Sequence, residues 1–379
     1  MKRALVTAIF AVFISISPNA NGVCTDSAEK CILLHPDTGA VLYEKNADEP
    51  SLIASTTKIM TALVVLENCD INESVVIKPE WTGIEGSSMY LKAGESYTIR
   101  QLLYGLMLAS GNDAATALAG YVSGSNEAFA RLMNEKARAL GLENTNFKNP
   151  HGLDAEGHFS SAHDLAIIMA KAMENPDFAE IGSARSVDIG ELTFVNHNKL
   201  LRQYEGTLGG KTGYTMASGR TLVTCAEREG LRLICVTLSD PDDWNTHTAL
   251  YDWAFQNYVY SSVRPLWSEI ELPLISGMQE SLRVDCRDED MALLPRDHSH
   301  TLSIELPSFV YAPVKFGETL GRITVRVDGK ELCWVPLKSA QQAERDNTLK
   351  LTPWERFRLS WYKTPKLGAY CPAFRSVLY

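Results

Sequence analysis

Apolar and polar positions change period several times along the chain. The stretch CILLHPDTGAVLYEK, residues 31–45, holds two short apolar runs about Pro36-Asp37-Thr38-Gly39, which predicts a β-hairpin. From Ser55 the period becomes helical: Ile59, Ala62, Leu63 and Leu66 form one apolar stripe of an amphipathic helix. A capping box from Thr98 to Gln101 opens a helix to about Leu108. Ser110-Gly111-Asn112 interrupts it, and Asp113 is placed to cap a second helix. Residues 135–173 read as helix, a long polar loop rich in Asn, Gly and His, then helix again.

Beyond residue 207 the pattern is of strands. LGGKTGYTMASGRTLVTCAEREGLRLICVTLSD predicts successive strands, the last two joined at Arg228-Glu229-Gly230, and TALYDWAFQNY predicts a closing helix. Helices in the middle with strands at both ends imply an α/β domain whose sheet unites its N- and C-terminal parts. From 268 to 339 every element is a short strand, with Asp328-Gly329 as a hairpin turn, so a small all-β domain follows. The tail 340–379 mixes Trp354, Phe357, Trp361 and Tyr362 with Arg356, Arg358, Lys363 and Lys366. That mixture suits peripheral contact with a membrane as well as a tail packed on its domain.

Composition narrows the class. The 379 residues are 45% hydrophobic and 22% charged, enough for two globular domains, and the net charge of -10 speaks against a nucleic-acid binder. Lys2 and Arg3 before an apolar core from Ala4 to Ile16, with small residues at Ala20 and Gly22, make residues 1–22 an expected signal peptide. The expected units are then a catalytic domain at 23–262, the β-domain at 268–339 and the tail, in an exported, extracytoplasmic protein. Eight cysteines without C-x-x-C spacing argue against a zinc site, and Cys225 and Cys235 sit in apolar runs that suit buried thiols.

The chemistry lies in three short phrases. Ser55 and Lys58 stand three apart at the start of a helix, so they share a face; Ser110 and Asn112 lie in the helix break; Lys211, Thr212 and Gly213 lie on a strand. A serine hydroxyl needs a base, and Lys58 can serve only if neutral, which a dry site with Lys211 as a second cation would favour. Ser110 would pass a proton to a leaving amine, and Asn112 could hold a substrate amide. Gly213 leaves room for a substrate backbone, and the N–H groups of Ser55 and Tyr214 are candidates for an oxyanion hole. Strand alternation would turn Thr212 away from the side shared by Lys211 and Gly213 unless the strand is twisted or bulged.

These phrases, in this order, are the signature of class A β-lactamases and penicillin-binding proteins. With DTGAVLYEKNADEP, LMLASGNDAATALA, LGLENTNFKNPHGLD and NHNKLL around them, the chain resembles the D-alanyl-D-alanine carboxypeptidases, the low-molecular-mass penicillin-binding proteins. The likeness spans residues 30–255, and APVKFGETLGRITVRVDGKEL resembles that family's C-terminal β-domain. It implies a serine β-lactamase-like α/β (α+β) fold, an antiparallel sheet flanked by helices with a helical subdomain. The implied substrate is a peptidoglycan stem peptide ending in D-Ala-D-Ala, in vegetative wall or spore cortex, with β-lactams as inhibitors and neither cofactor nor metal. Ser55 is the implied nucleophile, Lys58 its base, Ser110 with Asn112 the second motif, and Thr212 a contact for the terminal carboxylate. His197 stands where relatives carry Arg near that carboxylate, which leaves the carboxylate-binding cation open. His151 and Asp154 match a family phrase that suits loop stabilisation.

Three other readings bear on the same residues. A class A β-lactamase would carry Glu-x-x-Leu-Asn after the second motif, and residues 140–170 contain no such phrase. A non-catalytic wall-binding module would have lost one of Ser55, Lys58 or Lys211. A metal hydrolase on His298 and His300, or on His151, His158 and His163, lacks a helical His-x-x-x-His.

Overall fold

The computed structural model describes residues 27–263, 270–286, 290–346 and 374–378. The expected signal peptide at 1–22 and nearly all of the tail, with its aromatic and basic residues, lie outside them. The hairpin is β1 (Lys30–Leu34) and β2 (Val41–Lys45), turned through Gly39 at φ +69°. Next come α1 (Lys58–Asn68), a small hairpin of β3 (Ser74–Val76) and β4 (Ser96–Thr98), then α2 (Ile99–Met107), α3 (Asn112–Ser123), α4 (Asn126–Ala139), α5 (Ala162–Met173) and α6 (Pro176–Ser183). A second small hairpin, β5 (Ser186–Ile189) with β6 (Leu192–Val195), and the short α7 (Leu200–Gln203) lead to β7 (Thr207–Thr215), β8 (Gly219–Arg228) and β9 (Leu231–Leu238).

The main sheet is antiparallel in the order β2-β1-β9-β8-β7, so β1 sits between the other N-terminal strand and the C-terminal strands as expected. Both faces are covered. Ile32, Val223, Ile234 and Val236 pack toward α1–α6, while Leu33, Leu222, Leu233 and Cys235 pack toward α8 (Asp243–Asn257) and beyond. That two-sided burial explains why LRLICVTL reads as a continuous apolar run.

Helix α1 departs from the amphipathic expectation. Every residue from Lys58 to Val65 is buried, Met60 and Val64 as fully as Ile59 and Leu63, because α2 to α6 enclose it. The capping box at Thr98 forms, with Gln101 N donating to Thr98 Oγ1 and Thr98 N to Gln101 Oε1. Asp113, expected as a cap, is already inside α3. Its carboxylate accepts from Met89 N, Leu91 N and the Ser88 hydroxyl, and so fastens the 88–91 segment against the helix.

After α8, β10 (Tyr258–Ser262) pairs with β13 (Met291–Pro295), while β11 (Ile270–Ile275), β12 (Ser281–Asp285), β14 (His300–Pro307), β15 (Val310–Tyr311), β16 (Thr319–Val327), β17 (Lys330–Ser339) and β18 (Phe374–Leu378) form a seven-stranded sheet. Asp328 and Gly329 both have positive φ, the geometry of a two-residue hairpin turn. The core of this β-domain is continuous with the outer face of the main sheet: Leu250, Tyr251 and Phe255 share one apolar cluster with Leu293, Ile323 and Val335.

Candidate active site

Ser55 lies in a 3-10 turn, Ala54–Thr57, that runs directly into α1. Ala54 enters it at φ +45°, a conformation that costs a non-glycine residue about 1–3 kcal/mol and persists only where the surroundings enforce it. Two glycines supply the enforcement. A Cβ on Gly152, in the 149–158 loop at φ +90°, would fall 1.9 Å from the Ala54 carbonyl oxygen, and one on Gly213 would fall 2.9 Å from Ser55 N. The missing side chain at Gly213 thus leaves room for the serine's own turn and for Thr221.

The same loop fixes the start of α1. Lys58 Nζ donates to the His151 carbonyl at 2.6 Å, Thr61 donates to the Pro150 carbonyl at 2.6 Å, and Thr57 Oγ1 lies 2.9 Å from His158 Nε2. Asp154 accepts from Thr215 Oγ1 at 3.1 Å, tying the loop to the end of β7. His163 is elsewhere, paired with Asp48. His151, His158 and Asp154 therefore have structural partners of their own.

Lys58 is fully enclosed, and its Nζ reaches Ser55 Oγ at 2.9 Å and Asn112 Oδ1 at 2.7 Å. Burial, then the nearby charge of Lys211, holds its ammonium well below the ordinary lysine range, against a smaller opposing pull from Asp113. Lys211 is also buried, donates to the Thr212 carbonyl at 3.0 Å, and is brought down by burial to about 7. Burial and the neighbouring cation thus push Lys58 toward the neutral form that a serine-activating base requires. Asn112 holds this lysine through Oδ1, while its Nδ2 donates to the Glu85 carbonyl at 2.6 Å and keeps a second hydrogen.

Ser110 stands at φ +59° in the break between α2 and α3, buried, with its hydroxyl unbonded among the described residues. It lines a cavity of about 910 Å³ together with Ser55, Thr212, Gly213, Tyr214 and His197. Thr212 reaches this cavity although Lys211 and Gly213 share the inner side; the bulge of β7 lies upstream, between Thr207 and Gly209, and the register is regular from Gly209 to Thr215. His197 projects from the turn after β6, its neighbours Asn196 and Asn198 holding the backbone. Burial first, and then Lys211, lower the His197 pKa, so it is no fixed cation.

The sequence reading passed over the far wall of the cavity, built from β6, Lys199, Arg202, Arg220, Asp243 and Trp244. Arg220 lies in the same phrase as Lys211, but only the β7–β8 register, which pairs Tyr214 with Arg220, shows that it faces the site.

Similarity to known proteins agrees with this geometry. The peptidase S11 family model, described as D-alanyl-D-alanine carboxypeptidase, matches residues 17–242. The D-alanyl-D-alanine carboxypeptidase DacF of Bacillus subtilis (strain 168) is 32% identical over 374 residues, covering 91% of this chain and 95% of that protein. DacA of Escherichia coli (strain K12), also a D-alanyl-D-alanine carboxypeptidase, is 32% identical over 378 residues, covering 92% and 93%. The crystal structure of penicillin binding protein 5 from Haemophilus influenzae superposes with a TM-score of 0.76 at 28% identity, covering 85% of this chain and 98% of that one.

Proposed function

The chain belongs to the D-alanyl-D-alanine carboxypeptidase family, and from that premise we propose that Ser55, Lys58 and Ser110 carry its chemistry on stem peptides ending in D-Ala-D-Ala. The protein is a serine peptidase of the penicillin-binding class. The single observation that supports the residue assignment most strongly is the Lys58–Ser55 contact of 2.9 Å in a dry site that favours neutral lysine.

In this scheme neutral Lys58 takes the Ser55 proton as Oγ attacks the carbonyl between the two D-alanines. The resulting oxyanion is met by the N–H groups of Ser55 and Tyr214, which line the cavity; one such donor is worth about 3–4 kcal/mol of barrier. The C–N bond then breaks, and the Ser110 hydroxyl gives its proton to the departing amine of D-alanine and takes up the one held by Lys58, which leaves the lysine neutral. Water, activated by Lys58 once that lysine is neutral again, opens the acyl-enzyme. Asn112 keeps Lys58 in place, and Thr212 meets the terminal carboxylate. A β-lactam acylates Ser55 by the same first step.

The edge position of β7 supports this mode of binding. An extended peptide can lie along an unpaired strand edge and donate to it. We take residues 23–262 as the catalytic unit and 268–339 as a β-domain that sets its distance from the wall or membrane, with the tail 340–379 as a peripheral membrane contact outside the cytoplasm. No helix among the described residues is long and apolar enough to cross a membrane.

Ser55→Ala tests the assignment. It is expected to abolish both release of D-alanine from a D-Ala-D-Ala peptide and covalent labelling by penicillin; release that survived would remove Ser55 from the chemistry.

A further inference from the structure

We propose that Arg220 receives the free carboxylate of the substrate's terminal residue, with Asp243 and Trp244 as the residues that position it. The inference rests on the carboxypeptidase reading above and supplies the cation that His197 does not.

The register of β7 and β8 carries Arg220 to the site. Gly213 pairs with Thr221, and Gly213 is the residue pressed against Ser55 N; the next pair along is Tyr214 with Arg220. Adjacent pairs lie about 3.3 Å apart along a strand, so Arg220 stands beside the reacting centre, and the cavity that holds Ser55 and Thr212 is lined by Arg220, Asp243 and Trp244 as well.

The guanidinium is held from one side only. Nη2 alone donates to both Asp243 oxygens, at 2.8 and 2.9 Å, while Nε and Nη1 have no partner among the described residues. Asp243 is sealed, its side chain 2% exposed, whereas that of Arg220 is 41% exposed. The Trp244 ring lies 5.5 Å from the guanidinium carbon. A buried carboxylate and an aromatic face thus fix the plane of the group and leave two donor nitrogens for a planar anion.

The other cations of the region are differently placed. Lys211 is sealed and donates to a backbone carbonyl, and Arg202 donates to the Asn196 carbonyl at 3.3 Å. Lys199 also lies over the Trp244 ring, its ammonium 6.0 Å from the centroid, but it offers a point charge and not the planar fork of donors that matches a carboxylate. Arg220 therefore makes the enzyme prefer a chain end with a free carboxylate over an internal or amidated peptide bond.

The test compares the mature protein with its Arg220→Gln and Arg220→Lys variants on one D-Ala-D-Ala peptide and on the C-terminal amide of that peptide. A hydrogen bond to a charged group predicts a loss of about 10- to 100-fold in kcat/KM on the free acid for Arg220→Gln, with a far smaller change on the amide. Arg220→Lys should keep part of the preference, and acylation by benzylpenicillin should fall more than acylation by its methyl ester. Equal losses on acid and amide, or no loss, would overturn the role of Arg220 while leaving the carboxypeptidase reading intact. Failure of the unaltered protein to release D-alanine would instead overturn both.

Discussion

Asn112 accepts from Lys58 at 2.7 Å, a shorter contact than the 2.9 Å that joins Lys58 to Ser55. A neutral amide fixes the lysine without favouring its charged form, as a carboxylate in the same place would. Asn112→Asp is therefore expected to raise the Lys58 pKa and slow β-lactam acylation at neutral pH, about tenfold for each pH unit of the rise, with recovery as pH increases. A variant whose rate followed the original pH profile would show that Asn112 does not control the state of Lys58.

Lys211 links stability to pH in a defined direction. Its pKa of about 7 in the folded protein lies below the value near 10.4 of an unfolded lysine, so across that window the unfolded chain binds more protons. The fold therefore gains stability as pH rises from about 7 to about 10, and loses that contribution as pH falls back through 7. Chemical denaturation of Lys211→Met against the original protein should show a gap that closes toward pH 10. Activity should respond separately: an alkaline fall of kcat/KM as Lys211 loses its charge, absent in Lys211→Arg.

Ser110 sets stability against activity. Glycine adopts its φ of +59° without strain, so Ser110→Gly should stabilise the fold by about 1 kcal/mol while losing about 10²-fold or more in D-alanine release. A thermal melt and one turnover assay decide it. A less stable variant would show that the unbonded hydroxyl supports the turn.

Gly152→Ala should be costly for a different reason. Its Cβ would meet the Ala54 carbonyl in addition to the strain of φ +90°, whereas Gly39, at φ +69°, faces open space. Gly39→Ala is expected to cost about 1–2 kcal/mol and to keep full acylation, while Gly152→Ala adds roughly 1–3 kcal/mol of overlap and displaces Ser55. Matching melts and matching acylation rates for the two would dissolve the distinction.

Truncation after residue 267 is expected to lower the melting temperature of the catalytic part, because β10 would lose β13 and the cluster around Tyr251 would be opened to water. A truncated protein that melted with the full one would show that the shared core contributes little.

Much of this site could be read from the chain because its motifs are local. Ser55 and Lys58 are one turn apart, and Lys211 to Gly213 are consecutive. What escaped was set by contacts between distant segments. Asp113 resembles a cap in the linear sequence, yet it lies inside the first turn of its helix and the 88–91 segment takes its carboxylate. That the Ser55 turn presses on Gly213 is likewise a contact between segments far apart in sequence. Arg220 was invisible in a linear reading, since strand register and not spacing carries it to the cavity.

The partners of Lys58 impose a form of latency. One lies 54 residues away and another 93, and β7 must close against the serine turn from farther still. None of these closures exists in a nascent chain, where Ser55 is an ordinary alcohol and Lys58 a hydrated cation. The polypeptide is accordingly harmless while it is being made, and the moment at which it first captures a fluorescent penicillin marks completion of its tertiary structure.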